Sequence, residues 1–155
     1  MAEIPLTLFD RLLDDNPDLA HEPFESPERV FARYKLGLRR DLEGLLNSKR
    51  PFSGWLTAYE GVGDTIVGFG LPDLSTEDFG TPAVRERIRR MIANCIRTFE
   101  TRLTKVEVDV DGAPTSSGVR FRITAVLAIA HMQETVTYDA KLRPSDRAIA
   151  VELSG

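Results

Sequence analysis

Residues 96–110, "IRTFETRLTKVEVDV", decide the fold, because the hydrophobic period changes inside them. Up to Phe99, the apolar residues Val84, Ile88, Met91, Cys95 and Phe99 recur at spacings of three and four, which predicts a helix. After Arg102 the period is two. Val106, Val108 and Val110 alternate with Lys105, Glu107 and Asp109, the pattern of a half-buried strand. Glu100 and Arg102 therefore stand at a helix-to-strand joint. On extended backbone they would share a face, so a direct pair is geometrically reasonable. Three roles are open to them: catalysis, a solvated surface, or a grip on another protein.

Downstream of the joint, "DGAPTSSG" (111–118) predicts a turn longer than the tightest hairpin loops. Val119, Phe121, Ile123, Ala125, Leu127 and Ile129 alternate as a second strand. Val136, Tyr138, Ala140 and Leu142 mark a third, and Ile149, Val151 and Leu153 a fourth. Hairpin-like links argue for antiparallel pairing. Upstream, Thr81-Pro82 has the form of a helix start, a capping hydroxyl followed by a first-turn proline. Ser26-Pro27 repeats it. Phe31, Tyr34, Leu38, Leu42 and Leu45 then predict an amphipathic helix to about Asn47, which Pro51 keeps from extending. A short helix over Leu6 to Leu13, with Leu6, Phe9 and Leu13 on one face, opens the chain. The expected fold is α+β: N-terminal helices packed on one face of a small antiparallel β-sheet. Residues 1–26 read as a short helix and acidic tether, and 27–155 as a single domain.

The chain of 155 residues is 42% apolar and 28% charged, as a soluble globular domain is. No apolar run approaches a membrane span, and "MAEIPLTLFDRLL" lacks the pattern of a secretory signal. A lone cysteine, Cys95, excludes an internal disulfide and a cysteine-rich zinc site. Cys95 falls on the apolar stripe, as a small core residue does; a reactive thiol is the less favoured reading. These features point to a reducing, cytoplasmic setting. Net charge is −4, and it is unevenly spread. Eight acids precede residue 29 (Glu3, Asp10, Asp14, Asp15, Asp18, Glu22, Glu25, Glu28) against Arg11 alone, while six arginines lie between 85 and 102. That basic helix reads either as a solvated face or as a dock for an acidic partner. A nucleic-acid adaptor fits the acidic total poorly.

Few catalytic arrangements are available. There is no G-x-S-x-G and no H-E-x-x-H, and "GVGDTIVGFG" (61–70) has glycines but no lysine to reach a phosphate. His21 and His131 are isolated. Glycoside hydrolysis needs two placed carboxyl groups, roughly 5 to 9.5 Å apart. Glu100 is the best proton-donor candidate, yet Arg102 beside it makes it a poor one. No cofactor is expected.

Three stretches together resemble the TssE family, the small baseplate subunit of type VI secretion systems: "LRRDLEGLLNSKRP" (38–51), "VGFGLPDLS" (67–75) and residues 96–110. That family is related to the baseplate-wedge protein of contractile phage tails, and it carries an old "lysozyme-like" label. The resemblance implies a non-enzymatic structural part that docks into the wedge and starts assembly of the contractile sheath. Its implied partners are wedge proteins of the TssF, TssG and TssK types and a sheath of the TssB/TssC type. Its implied place is the cytoplasmic face of the inner membrane. The rival reading is a peptidoglycan-cleaving hydrolase.

In the family the joint carries Glu-Pro-Arg, which helps lock the subunit onto the wedge core. Here Glu100 and Arg102 match, while Thr101 replaces the proline and frees the backbone torsion that proline would fix. The implied interaction residues are Glu100, Thr101 and Arg102, with Arg39, Arg40 and Asp41 bracing the fold or a neighbour. An intramolecular Glu100–Arg102 pair remains the alternative. "RAIAVEL" (147–153) is a candidate sheet edge for strand addition by the sheath, and equally an ordinary internal strand.

Overall fold

The computed structural model describes residues 7–13, 17–18, 26–51, 58–129 and 132–154. Leu6, His21, His131 and most of the acidic loop lie outside them. Helix α1 spans Leu8–Leu12, α2 spans Pro27–Asn47 and α3 spans Pro82–Phe99. Two short 3-10 turns, Val62–Asp64 and Ile66–Gly68, lie between α2 and α3. Strands β1 (Leu103–Thr115), β2 (Gly118–Ile129), β3 (Met132–Leu142) and β4 (Ile149–Leu153) follow. They form one antiparallel sheet in the order β1-β2-β3-β4. The α+β expectation therefore holds, with α3 against β1 and α2 against β4.

Each strand alternates because one sheet face is buried. Phe121, Ile123, Leu127, Tyr138, Leu142 and Val151 point into the core, against Leu38 and Leu42 of α2 and Ile88, Ile92 and Ile96 of α3. The opposite face carries Arg122, which pairs with Asp111 and Asp139. On α3 the fully buried stripe is Ile88, Ile92 and Ile96 rather than the whole predicted set. Val84, Met91 and Phe99 pack at its margin. Ala93 and the predicted Cys95 are buried beside it.

Local geometry adds two corrections to the sequence expectations. The Ser26 hydroxyl caps α2 through the Arg29 N–H, whereas Thr81 makes no such bond. Its hydroxyl donates to Asp78 instead, at 3.0 Å. The first hairpin is also tighter than expected. β1 continues to Thr115, which pairs with Gly118, leaving Ser116 and Ser117 as the turn. Pro114 is tolerated there because an edge strand can do without one N–H. A bulge at Lys105 (φ 51°) places two residues opposite one between Thr104 and Glu107. It resets the phase, so that Leu103 and Val106, three apart, both point inward.

Both edges of the sheet are covered by helix side chains. On β4, the Asn47 amide donates to the Ile149 carbonyl at 2.7 Å and its oxygen accepts the Ile149 N–H at 2.8 Å. Two turns earlier on α2, Arg39 donates to the Val151 carbonyl at 3.0 Å, and Glu43 accepts the Val151 N–H at 3.0 Å. Residues 39, 43 and 47 lie on one face of α2, and together they imitate the backbone of a fifth strand. On β1, α3 holds carbonyls alone: Arg97 to Val106 at 2.6 Å and Arg89 to Val108 at 2.9 Å.

Candidate functional site

The three stretches that carry the family resemblance meet in space. Leu71 exchanges backbone bonds with the end of α2, its N–H to the Ser48 carbonyl and its carbonyl from the Arg50 N–H, both at 2.9 Å. Gly70 makes this approach feasible: it has φ +95°, and a Cβ there would lie 2.1 Å from the Ser48 oxygen. Phe69 packs edge-on against Phe99, centroids 5.3 Å apart, which ties the loop to the last turn of α3. Of the glycines of 61–70, Gly70 and Gly68 therefore serve close backbone packing. A Cβ on Gly68 would likewise sit 1.9 Å from the Gly63 oxygen.

At the joint itself α3 ends on Glu100, whose N–H still donates to Ile96 at 2.8 Å. Glu100 is 7% exposed. Arg102 reaches back to both of its carboxylate oxygens, Nε to Oε1 at 2.6 Å and Nη2 to Oε2, while the Arg102 backbone N–H also donates to Oε1. The same Nη2 contacts Asp41 of α2 at 2.9 Å. Asp41 meets Arg40 at 3.4 Å, and Arg40 meets Asp10 of α1 at 3.1 Å. A relay of alternating charge therefore runs from the joint across α2 to α1. The Arg102 guanidinium also lies 5.7 Å from the ring centre of Tyr34.

Burial alone lowers the pKa of Arg102, but its hydrogen bonds to Glu100, the charge of that carboxylate and Asp41 outweigh burial and hold it above the usual arginine range. Burial has the opposite effect on the Tyr138 hydroxyl, raising its pKa; that hydroxyl donates to the Lys35 carbonyl at 3.1 Å. Both oxygens of Glu100 accept from a permanent cation. The pair is intramolecular and ties the end of α3 to the start of β1.

Of the residues singled out in the sequence, Glu100, Arg102, Arg40 and Asp41 come together. Thr101 is exposed between its two charged neighbours. Arg39 does not join them, because it turns to Glu43 and β4. The arginines of α3 are also engaged within the chain: Arg85 with the Phe79 and Gly80 carbonyls, Arg87 with Glu77, and Arg89 and Arg90 with Glu86. Sequence reasoning missed Asp10, Glu43 and Asn47. The only advance signal was the i, i+4, i+8 polar spacing of 39, 43 and 47.

A cleft of about 240 Å³ lies between the 61–72 loop and α3, lined by Arg50, Asp64, Asn94 and Cys95 among others. Among the described residues that line it, Asp64 is the one carboxylate. Burial pushes the Cys95 thiol up to about 11, as expected of a core cysteine. Among the described residues, no group of three or more His, Cys, Asp or Glu is placed to hold a metal ion, and no helix is long and apolar enough to cross a membrane.

A helix-braced antiparallel sheet with a partly buried charge relay at its main joint defines an α+β domain of this architecture. Residues 32–131 match the sequence pattern of the family described as baseplate wedge protein gp25, and the chain belongs to that family. TssE is the type VI secretion homologue of the phage gp25 protein. The matched span runs from the first turns of α2 past the end of β2 and contains the joint. No curated protein sequence and no solved structure matches the chain.

Proposed function

We propose that this chain is the TssE-type subunit of a type VI secretion baseplate, docking into the wedge and linking it to the contractile sheath. The observation that carries the reading is the charge relay at the joint. It unites Glu100 and Arg102, from the last of the resembling stretches, with Asp41 from the first, in a match that spans both. Glu100 and Arg102 are already paired to each other, so the unit that meets the wedge is the assembled pair. Arg102 keeps part of its side chain open to solvent, about a quarter. A partner carboxylate or carbonyl can take that remaining donor capacity.

The wedge partners on this reading are TssF-, TssG- and TssK-type proteins, and the setting is the cytoplasmic face of the inner membrane. Residues 1–26 act as the tether and 27–155 as the wedge domain. Contact with a TssB/TssC-type sheath uses strand addition at a sheet edge. At β4 an incoming strand must displace Asn47, Glu43 and Arg39 from Ile149 and Val151. At β1 it must displace only two arginine side chains from carbonyls.

Co-purification with the TssF- and TssG-type scaffold tests the docking. Glu100→Ala and Arg102→Ala should each lose about 2–5 kcal/mol of binding while circular dichroism shows a folded chain. Folded variants that bind as the native chain does would remove the joint from the interface.

A further inference from the structure

Helix α1 is built inside out. Its large apolar side chains, Leu8, Phe9, Leu12 and the capping Leu13, are between 57% and 72% exposed. Thr7 and Asp10 face inward. Thr7, at its N-cap, is buried, and the Asp10 carboxylate accepts from the Thr7 hydroxyl and pairs with Arg40 at 3.1 Å. Asp10 lies directly over Gly37 of α2, where a Cβ would come within 2.4 Å of its Oδ2. Leu36, the neighbour of Gly37, is itself 55% exposed, one turn before Arg40. The Phe9 ring packs 5.5 Å from the Arg40 guanidinium. An ion pair over a glycine thus fixes the helix, and its apolar face is left pointing away from the core. The predicted face of Phe9 and Leu13 exists, but it faces outward.

We propose that this apolar face is a second docking surface for the baseplate scaffold, and that its occupant is a protein groove with an apolar floor and a lysine- and arginine-rich rim. The proposal rests on the baseplate reading above. Charge selects the occupant. Asp14 and Asp15 follow Leu13 directly, and residues 1–28 hold eight acids against one base. A second copy of the chain, docked face to face, would bring two such acidic segments together. An anionic bilayer would repel the same segment. A basic-rimmed groove satisfies both the apolar side chains and the acids that flank them. The surface is also continuous with the joint, because Arg40 holds Asp10 on one side and Asp41 of the Arg102 relay on the other. The tether therefore acquires a register: Phe9 and Leu12 are the anchors.

The test uses the full chain and its own TssF- and TssG-type scaffold, with Phe9→Ser/Leu12→Ser and, separately, Leu8→Glu. Leu8→Glu alters an exposed side chain and should keep the native thermal midpoint; Phe9→Ser/Leu12→Ser also gives up the Phe9–Arg40 contact, so circular dichroism checks that it remains folded. The expected result is binding at least tenfold weaker for each. If the native chain binds and both variants bind equally well, the inference is overturned and the baseplate reading survives. If the native chain does not bind the scaffold, the baseplate reading fails and this inference fails with it. A native dimer that the double variant dissociates in sedimentation would assign the face to a second copy. Native binding to phosphatidylglycerol vesicles that Phe9→Ser/Leu12→Ser abolishes would assign it to lipid. Either of these last results overturns the proposal.

Discussion

Glu100 is buried with both oxygens committed to Arg102, so its removal leaves a guanidinium short of its principal partner. Glu100→Ala should lower stability by about 2 to 3 kcal/mol, seen as a reduced urea midpoint with unchanged slope. Thr101→Pro tests the family departure from the other side. Glu100 has φ −107° and ψ 79°, already outside the helical region that a following proline disfavours. The substitution should therefore change stability by no more than about 1 kcal/mol. A larger loss would show that the Thr101 N–H or torsion is needed. The Glu100–Arg102 pair was legible in the sequence because the two residues are neighbours at a change of period. Asp41 was legible as a charged residue but not as their partner. It lies 61 residues from Arg102, and nothing in local periodicity reports such a distance.

The elements were legible wherever one face is buried against the core. Strands β2, β3 and β4 and helix α2 follow their apolar spacing closely, since burial forces every second or every third-to-fourth side chain inward. Two of the misses share one physical cause: polar groups chose among competing partners. Thr81 gave its hydroxyl to Asp78, and the three-residue rail on α2 gave its bonds to β4. That rail makes a sharp prediction. The Ile149 amide should exchange slowly although β4 is an edge strand, and Asn47→Ala should speed it while costing about 1 to 3 kcal/mol. Unchanged exchange at Ile149 would mean that the Asn47 bonds do not protect the edge. Gly70 carries the junction between the 61–72 loop and α2. Gly70→Ala forces a side chain onto φ +95° and against the Ser48 carbonyl, and should cost about 2 kcal/mol or more.

For the whole molecule, Cys95 couples the core to pH. Its ordinary value of 9.0 applies to the unfolded chain, while burial holds the folded thiol at about 11. Between those values the unfolded chain sheds a proton that the folded chain retains. Stability therefore falls as pH rises through this window, by about 2 kcal/mol at pH 11. It is fully present below pH 9. Cys95→Ala should flatten that part of the stability curve relative to the native chain, and identical curves would place the thiol in contact with solvent.

A photo-crosslinking side chain at position 101 reads whether the joint faces the wedge scaffold. Thr101 is exposed and lies between the paired charges, so replacement leaves the relay in place. A joint docked on the wedge gives a covalent adduct with a TssF- or TssG-type protein in cells that assemble the baseplate. An assembled, functional baseplate with no adduct at 101, and a strong one from a distant surface such as the tip of the β1–β2 hairpin, would contradict that docking.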